Sequence, residues 1–218
     1  MNKLFDIDSP VMKALTKLTD MFFLSVLWFA CCIPIITIGP ATAAMYYITL
    51  KWAKQEEVKL GATFFRAFKE NFKQGIALNL IFLIVGAVLF FDYVYMGAIE
   101  GNAAMLSSMC FLTMGIWWLC IMFYAYPLQA QFFNPIKRTL LNAAILSMRK
   151  IVTTVIVFAL NMLPVIVMYV SWGLFLRTIP IWILVAPGVI ATVCGKLFAK
   201  LFAPYLPPVE QEPEPEEE

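Results

Sequence analysis

Five long apolar runs alternate with short charged segments along this chain. They lie near residues 21–38, 75–92, 105–126, 151–176 and 181–199. About 20 apolar residues in a helix cross the hydrocarbon of a bilayer, so each run predicts a membrane span. Between the runs the spacing changes. Val11, Leu15, Leu18 and Phe22 recur at helical intervals after Ser9-Pro10, a good helix start, and predict a short helix lying in the membrane interface. Over Thr63–Gln74, Phe64, Phe68 and Phe72 take one face while Arg66, Lys69 and Lys73 take another. Such a basic aromatic helix suits an anionic membrane surface, with simple anchoring as its plainer role. Lys137, Arg138, Arg149 and Lys150 bracket a second one.

Proline and glycine punctuate the runs. Pro34 should kink the end of the first span, and Gly39-Pro40 should stop it and start a new helix over Ala41–Trp52. Pro127 and Asn134-Pro135 should break the third span in the same way. Pro164 should soften the fourth, Arg177-Thr178-Ile179-Pro180 should form a tight turn, and Pro187-Gly188 should interrupt the fifth. Pro40–Tyr46 aligns over Pro127–Phe133, Thr63–Ala67 over Thr139–Ala143, and Phe72-Lys73 over Met148-Arg149. Each half then reads as span, proline break, basic amphipathic helix and second span, a parallel repeat about an axis along the membrane normal.

Charge sets the orientation. Six Lys and Arg lie between spans one and two and four between spans three and four, which places both segments in the cytoplasm. Five crossings put the N-terminus outside, with twelve of the sixteen basic residues inside. A re-entrant hairpin over Cys31–Tyr47 would instead put the N-terminus inside, with fifteen of sixteen. The repeat and the length of the first run favour five crossings. Met21–Ile33 followed by Ala41-Thr42-Ala43 has the look of a signal peptide, but Asp6, Asp8 and Asp20 precede the run, so an uncleaved span is expected.

Composition narrows the function. The 218 residues are 62% hydrophobic and 14% charged, against about 25% charged in soluble domains, so lipid must solvate much of the surface. Histidine is absent, the five cysteines form no C-x-x-C pair, no G-x-x-x-x-G-K is present, and no span carries paired carboxylates. A histidine-zinc site, a metal knuckle, nucleotide hydrolysis by a phosphate loop and acid–base catalysis within the membrane therefore have no visible machinery. No enzymatic activity, no cofactor and no nucleic-acid partner is expected. Six of the fourteen acids lie from Glu210 onward in a Pro/Glu tail that cannot build a core.

The run CCIPIITIGPATAAMYYITLKW, followed by FFRAFKENFKQG, resembles the YesL family of bacterial integral membrane proteins. The resemblance extends from about Leu4 to Leu201. It implies a domain of unknown function whose members occur beside genes for carbohydrate uptake by ABC transporters, and hence an accessory role there. The Glu-rich tail is not expected from the family.

The reading is therefore an all-α, multi-pass transmembrane helical bundle over residues 1–203, with cytoplasmic amphipathic interfacial helices, and a disordered tail over 204–218. It resides in the cell membrane. The expected function is accessory or assembly protein of a carbohydrate ABC uptake system, with a small oligomeric transporter or channel for a polar solute as the alternative. Partners would be the lipid bilayer, ABC transporter subunits or further copies of the chain. The candidate residues are the helix breaks at Pro34, Gly39, Pro40 and Pro127, the intramembrane polar contacts Asn79, Asn161 and Gln129, and a cytoplasmic partner or lipid face of Arg66, Lys69, Lys73, Lys137 and Arg138. A transporter should show a cavity near Asn79, Asn161 and the prolines, whereas a closed bundle favours the accessory role.

Overall fold

The computed structural model describes residues 10–99 and 101–206. Ser9, Glu100 and residues 207–218, where a helix cap, a surface carboxylate and most of the acidic tail were expected, lie outside them. The described chain is helical: α1 (Pro10–Cys32), a 3-10 turn (Ile35–Thr37), α2 (Ile38–Ala53), α3 (Leu60–Glu70), α4 (Phe72–Gly97), α5 (Asn102–Gln131), α6 (Ile136–Arg149), α7 (Ile151–Val170), α8 (Trp172–Leu184), α9 (Ala186–Phe202) and a closing 3-10 turn (Ala203–Tyr205). Five of these segments are long and apolar enough to cross a membrane: Leu15–Cys32, Phe72–Gly97, Asn102–Gln131, Ile151–Val170 and Ala186–Tyr205. The expected interfacial helix before the first span is not separate. It runs without a break into α1, because nothing between Pro10 and Cys32 interrupts the helical hydrogen bonds.

Several expected breaks fall elsewhere. Pro34 does end the first helix. Gly39-Pro40, however, stops nothing and forms the first turn of α2, where a proline loses no helical hydrogen bond. Pro127 sits inside α5, which continues to Gln131, and its ring is fully buried. Packing of that ring offsets the lost bond, and the chain turns only at Phe132–Pro135. Arg177–Pro180 is not a turn but the interior of α8. The break before it comes at Ser171, whose hydroxyl accepts from Leu174 N–H at 3.3 Å as an N-cap. The last break comes at Val185, with Pro187 in the first turn of α9.

Two single-residue breaks matter most. Asn71 alone separates α3 from α4, and Lys150 alone separates α6 from α7. Each half thus feeds a short amphipathic helix straight into a long apolar one, which matches the repeat. The two breaks are 79 positions apart, three more than the sequence alignment of Phe72-Lys73 with Met148-Arg149 gives.

Buried side chains gather around α2 rather than along the middle of the spans. Ala44, Met45, Ile48 and Leu50 on α2 pack with Phe64 and Ala67 on α3, Tyr124 and Ala125 on α5, and Phe198 and Phe202 on α9. Tyr46, Tyr124, Phe198 and Phe202 form a run of ring contacts through this core, the closest between Tyr124 and Phe198 at 5.0 Å between centroids. The far stretches of α4, α5 and α7 keep large apolar side chains outward, among them Ile84, Phe91, Leu106 and Tyr169. Exposed apolar surface on that scale is what lipid covers.

Small residues set the closest approaches. A Cβ on Gly39 would lie 2.1 Å from Gly75 O, and one on Gly75 would lie 2.6 Å from Pro40 N, so α2 and α4 meet backbone to backbone. At the middle of α1, a Cβ on Gly188 would lie 2.2 Å from Met21 O. Here Ser25 does what Val185 cannot. Its Oγ accepts from Gly188 N–H at 2.8 Å, so α1 caps the N-terminus of α9 from 163 positions away.

These contacts fix the direction of α1. Ile35 lies beside Asn79, seven residues or about 10 Å into α4 from its basic start. Met21 and Ser25 lie beside Gly188, which is 14 residues or about 21 Å from the end of α9 at Phe202, itself against Phe132 at the end of α5. The α1–α2 junction is therefore close to the level where α4 begins, and α1 reaches away from it. A re-entrant hairpin would put its tip at the opposite end. The five-crossing arrangement fits these levels.

The α2–α3 connection is closed by a local clamp. Gln55, at φ 63°, takes the left-handed conformation. Its N–H donates to Trp52 O and that of Glu56 to Lys51 O, both at 3.1 Å, a Schellman ending. Lys51 Nζ bonds Glu56 Oε2 at 2.6 Å across it, and that hydrogen bond raises the lysine above its ordinary pKa.

Candidate functional site

The structure brings Asn79 and Asn161 to one cavity. It has a volume of about 450 Å³ and lies among α1, α2, α4, α5, α7, α8 and α9, with Pro164 and Pro187 also on its wall. This is within the ~300–1,000 Å³ of small-molecule pockets. Most of its lining is apolar. Its polar groups are positioned by one another. Asn79, nearly buried, donates from Nδ2 to Ile35 O at 2.8 Å and accepts at Oδ1 from Tyr126 OH at 3.3 Å. One side chain thereby ties the α1–α2 junction, α4 and α5 together, which is what an amide in an apolar bundle does best. Trp28 Nε1 donates to Thr42 Oγ1 at 3.1 Å, and Trp182 Nε1 to Thr178 Oγ1 at 3.0 Å. Asn161 donates to Val157 O within its own helix at 2.8 Å and approaches Cys194 Sγ at 3.9 Å.

Gln129 does not join them. It is almost fully buried on unbroken α5, donates from Nε2 to Asn71 O at 3.3 Å, and leaves Oε1 without a partner. No unwound backbone surrounds it, since Pro127 does not open the helix. Gln74 Nε2 donates to Asn134 O nearby. Together Gln129 and Gln74 fasten the α3–α4 break to the end of α5. Of the helix-break residues, Pro34 precedes the 3-10 turn whose Thr37 hydroxyl bonds Cys31 O at 2.6 Å, and Gly39 and Pro40 form the contact with Gly75.

The basic residues lie apart from the cavity. Arg66 and Lys69 on α3, Lys73 at the start of α4, and Lys137 and Arg138 on α6 are all exposed. Arg66 has Glu70 at 3.9 Å, one turn away. Phe64 and Ala67 hold α3 to the core, and Thr139, Ala143 and Leu146 hold α6. Phe72 belongs to α4, so the expected helix over Thr63–Gln74 is divided at Asn71.

Sequence reasoning missed Ser25, Gly75, Tyr124 and Thr154, and took Gly188 only as part of a helix interruption. Tyr124 OH lies 2.8 Å from Thr154 Oγ1, which donates to Ser147 O at 2.7 Å and so joins α5, α6 and α7. These are single small or polar residues inside apolar runs. Only their partners, 30 to 163 positions away for the cross-helix pairs beyond Ser147, reveal them.

Residues 21–93, which cover about half of α1, all of α2 and α3 and most of α4, are similar to a family described as "Protein of unknown function, DUF624". A stretch of 117 residues is 25% identical to "Uncharacterized protein YesV" of Bacillus subtilis (strain 168), covering 53% of this chain and 56% of that one. The chain thus spans a little over half the length of the curated relative it matches. No solved structure matches.

Proposed function

We propose that this integral membrane protein is a non-catalytic accessory of the cell membrane that meets a partner through its basic face, in the setting of carbohydrate uptake by an ABC transporter. That setting comes from the likeness to the YesL family carried by Cys31–Trp52 and Phe64–Gly75. The observation supporting a docking role is the way α3 and α6 are held. Each turns a narrow stripe into the core and leaves apolar side chains outward beside cations: Phe65, 48% exposed, next to Arg66, and Leu141, 60% exposed, on the helix of Lys137 and Arg138. Apolar surface rimmed by charge is typical of interaction sites. By the positive-inside rule this face is cytoplasmic.

Gentle extraction of the tagged protein from native membranes tests this. Recovery of the membrane subunits of a sugar ABC transporter, lost with the pair Phe65→Asp and Leu141→Lys, supports the role. Recovery of the chain alone overturns it. The alternative, an oligomeric transporter for a small polar solute, gains the cavity near Asn79 and Asn161 but finds its lining mostly apolar.

A further inference from the structure

We propose that the central cavity binds one hydrocarbon tail of a membrane lipid, which enters from the bilayer between α4 and α5. Beside the cavity runs a groove of about 460 Å³ along these two helices. The two share Asn79, Leu83 and Met122 as walls, so one leads into the other. The groove follows Gly86 and Ala87 outward to Phe90 and Phe91, whose rings are 62% and 68% exposed on the lipid-facing part of α4. Gly86 keeps this path shallow, because it seats Trp118, which a Cβ there would meet at 2.6 Å.

The chemistry of the walls selects the occupant. Trp28, Tyr126 and Trp182 already spend their donors on protein acceptors, and the amides of Asn79 and Asn161 each give an N–H to a backbone carbonyl. A sugar or an ion would gain few new hydrogen bonds there while losing those it makes with water. An alkyl chain gives up nothing on leaving the bilayer, and it restores the dispersion contacts that the walls of an apolar void lack. Leu83 stands where the groove meets the cavity. Its partial exposure means a larger residue can be placed there without entering the core.

The test is photolabelling of the full chain in phospholipid vesicles containing a small fraction of phospholipid with a diazirine at its tail end. Adducts are then mapped by peptide mass spectrometry. The wild type should carry adducts at Met45 or Ile190 on the cavity wall, besides those on outward Ile84 and Val88. Leu83→Trp and Ala87→Trp should each cut the cavity adducts roughly tenfold, a difference of about 1.4 kcal/mol, and leave those on Ile84 and Val88 unchanged. Absence of cavity adducts in the wild type, or their persistence in both variants, would overturn the proposal. So would labelling of the cavity by a photoreactive monosaccharide in place of the lipid tail.

Discussion

Replacing Gly39 with alanine places a methyl group where the backbone of α4 already stands. The new Cβ would lie 2.1 Å from Gly75 O and 3.0 Å from Asn79 Cβ. An ordinary contact needs about 3.4 Å, so α2 and α4 must part by more than about 1 Å. Neither side yields cheaply, since one is a backbone carbonyl within a helix and the other is the first turn of the most buried helix. Overpacking of this kind costs about 1–3 kcal/mol. The shift also strains the hydrogen bond from Asn79 to Ile35 O, and a buried amide left unpaired costs about 1–3 kcal/mol more. Against this, alanine gains up to about 1 kcal/mol of helix propensity. The net loss should be about 1–6 kcal/mol, which lowers the thermal midpoint by roughly 2–24 °C for a chain of this size. The assay is thermal unfolding in mild detergent, read by the reaction of the buried Cys194 thiol with a maleimide dye after the other four cysteines are replaced by alanine. Gly61→Ala, where no atom lies within 4 Å, is the control and should be neutral or stabilising. A Gly39→Ala variant as stable as its parent would refute the close approach of α2 and α4.

Three further outcomes can be read by the same assay. Ser25→Ala removes the cap that α1 supplies to α9, and should cost about 1–2 kcal/mol. Thr154→Val should cost more than Tyr124→Phe, by about 1–2 kcal/mol. The first strands the buried tyrosine hydroxyl and the Ser147 carbonyl, whereas the second leaves Thr154 still bonded to Ser147 O. Gln55→Gly should stabilise by about 0.5–1 kcal/mol, because glycine takes the left-handed conformation without steric cost; a loss of stability there would count against the helix ending described.

The spans were legible because they depend on a property summed over many residues. Runs of twenty apolar positions survive a few misplaced polar ones. The breaks were legible only in part. Proline marks where a helix is costly to continue, not where it ends. Pro34 ends α1, but Pro40 and Pro187 fall in first turns, and Pro127, Pro164 and Pro180 are carried inside helices. Asn134-Pro135 does mark the turn between α5 and α6, whereas the breaks at Asn71, Lys150, Ser171 and Val185 involve no proline at those positions. Ser171 had a local signal in its capping hydroxyl, whereas Val185 depends on Ser25, far upstream. The candidate polar residues divided along the same line. Asn79 and Asn161 could be flagged as amides in apolar runs, but that they share a cavity is a matter of packing. Gln129 was expected as an intramembrane contact after a break at Pro127, but α5 runs unbroken past it and its amide meets Asn71 O. Gly39 was noticed for breaking a helix, and its actual role is to admit Gly75.

The direction of α1 carries the whole arrangement, since it places the junction at Ile35 on the basic face and the N-terminal end of the helix on the other. Labelling with a membrane-impermeant maleimide in intact cells tests it, using Val11→Cys and Gln55→Cys singly in a background lacking Cys31, Cys32, Cys110, Cys120 and Cys194. Position 11 should react in intact cells, and position 55 only after the membrane is opened. Protection of position 11 until the membrane is opened would show that both ends of the α1–α2 segment lie on the same side, and would contradict the five-crossing fold.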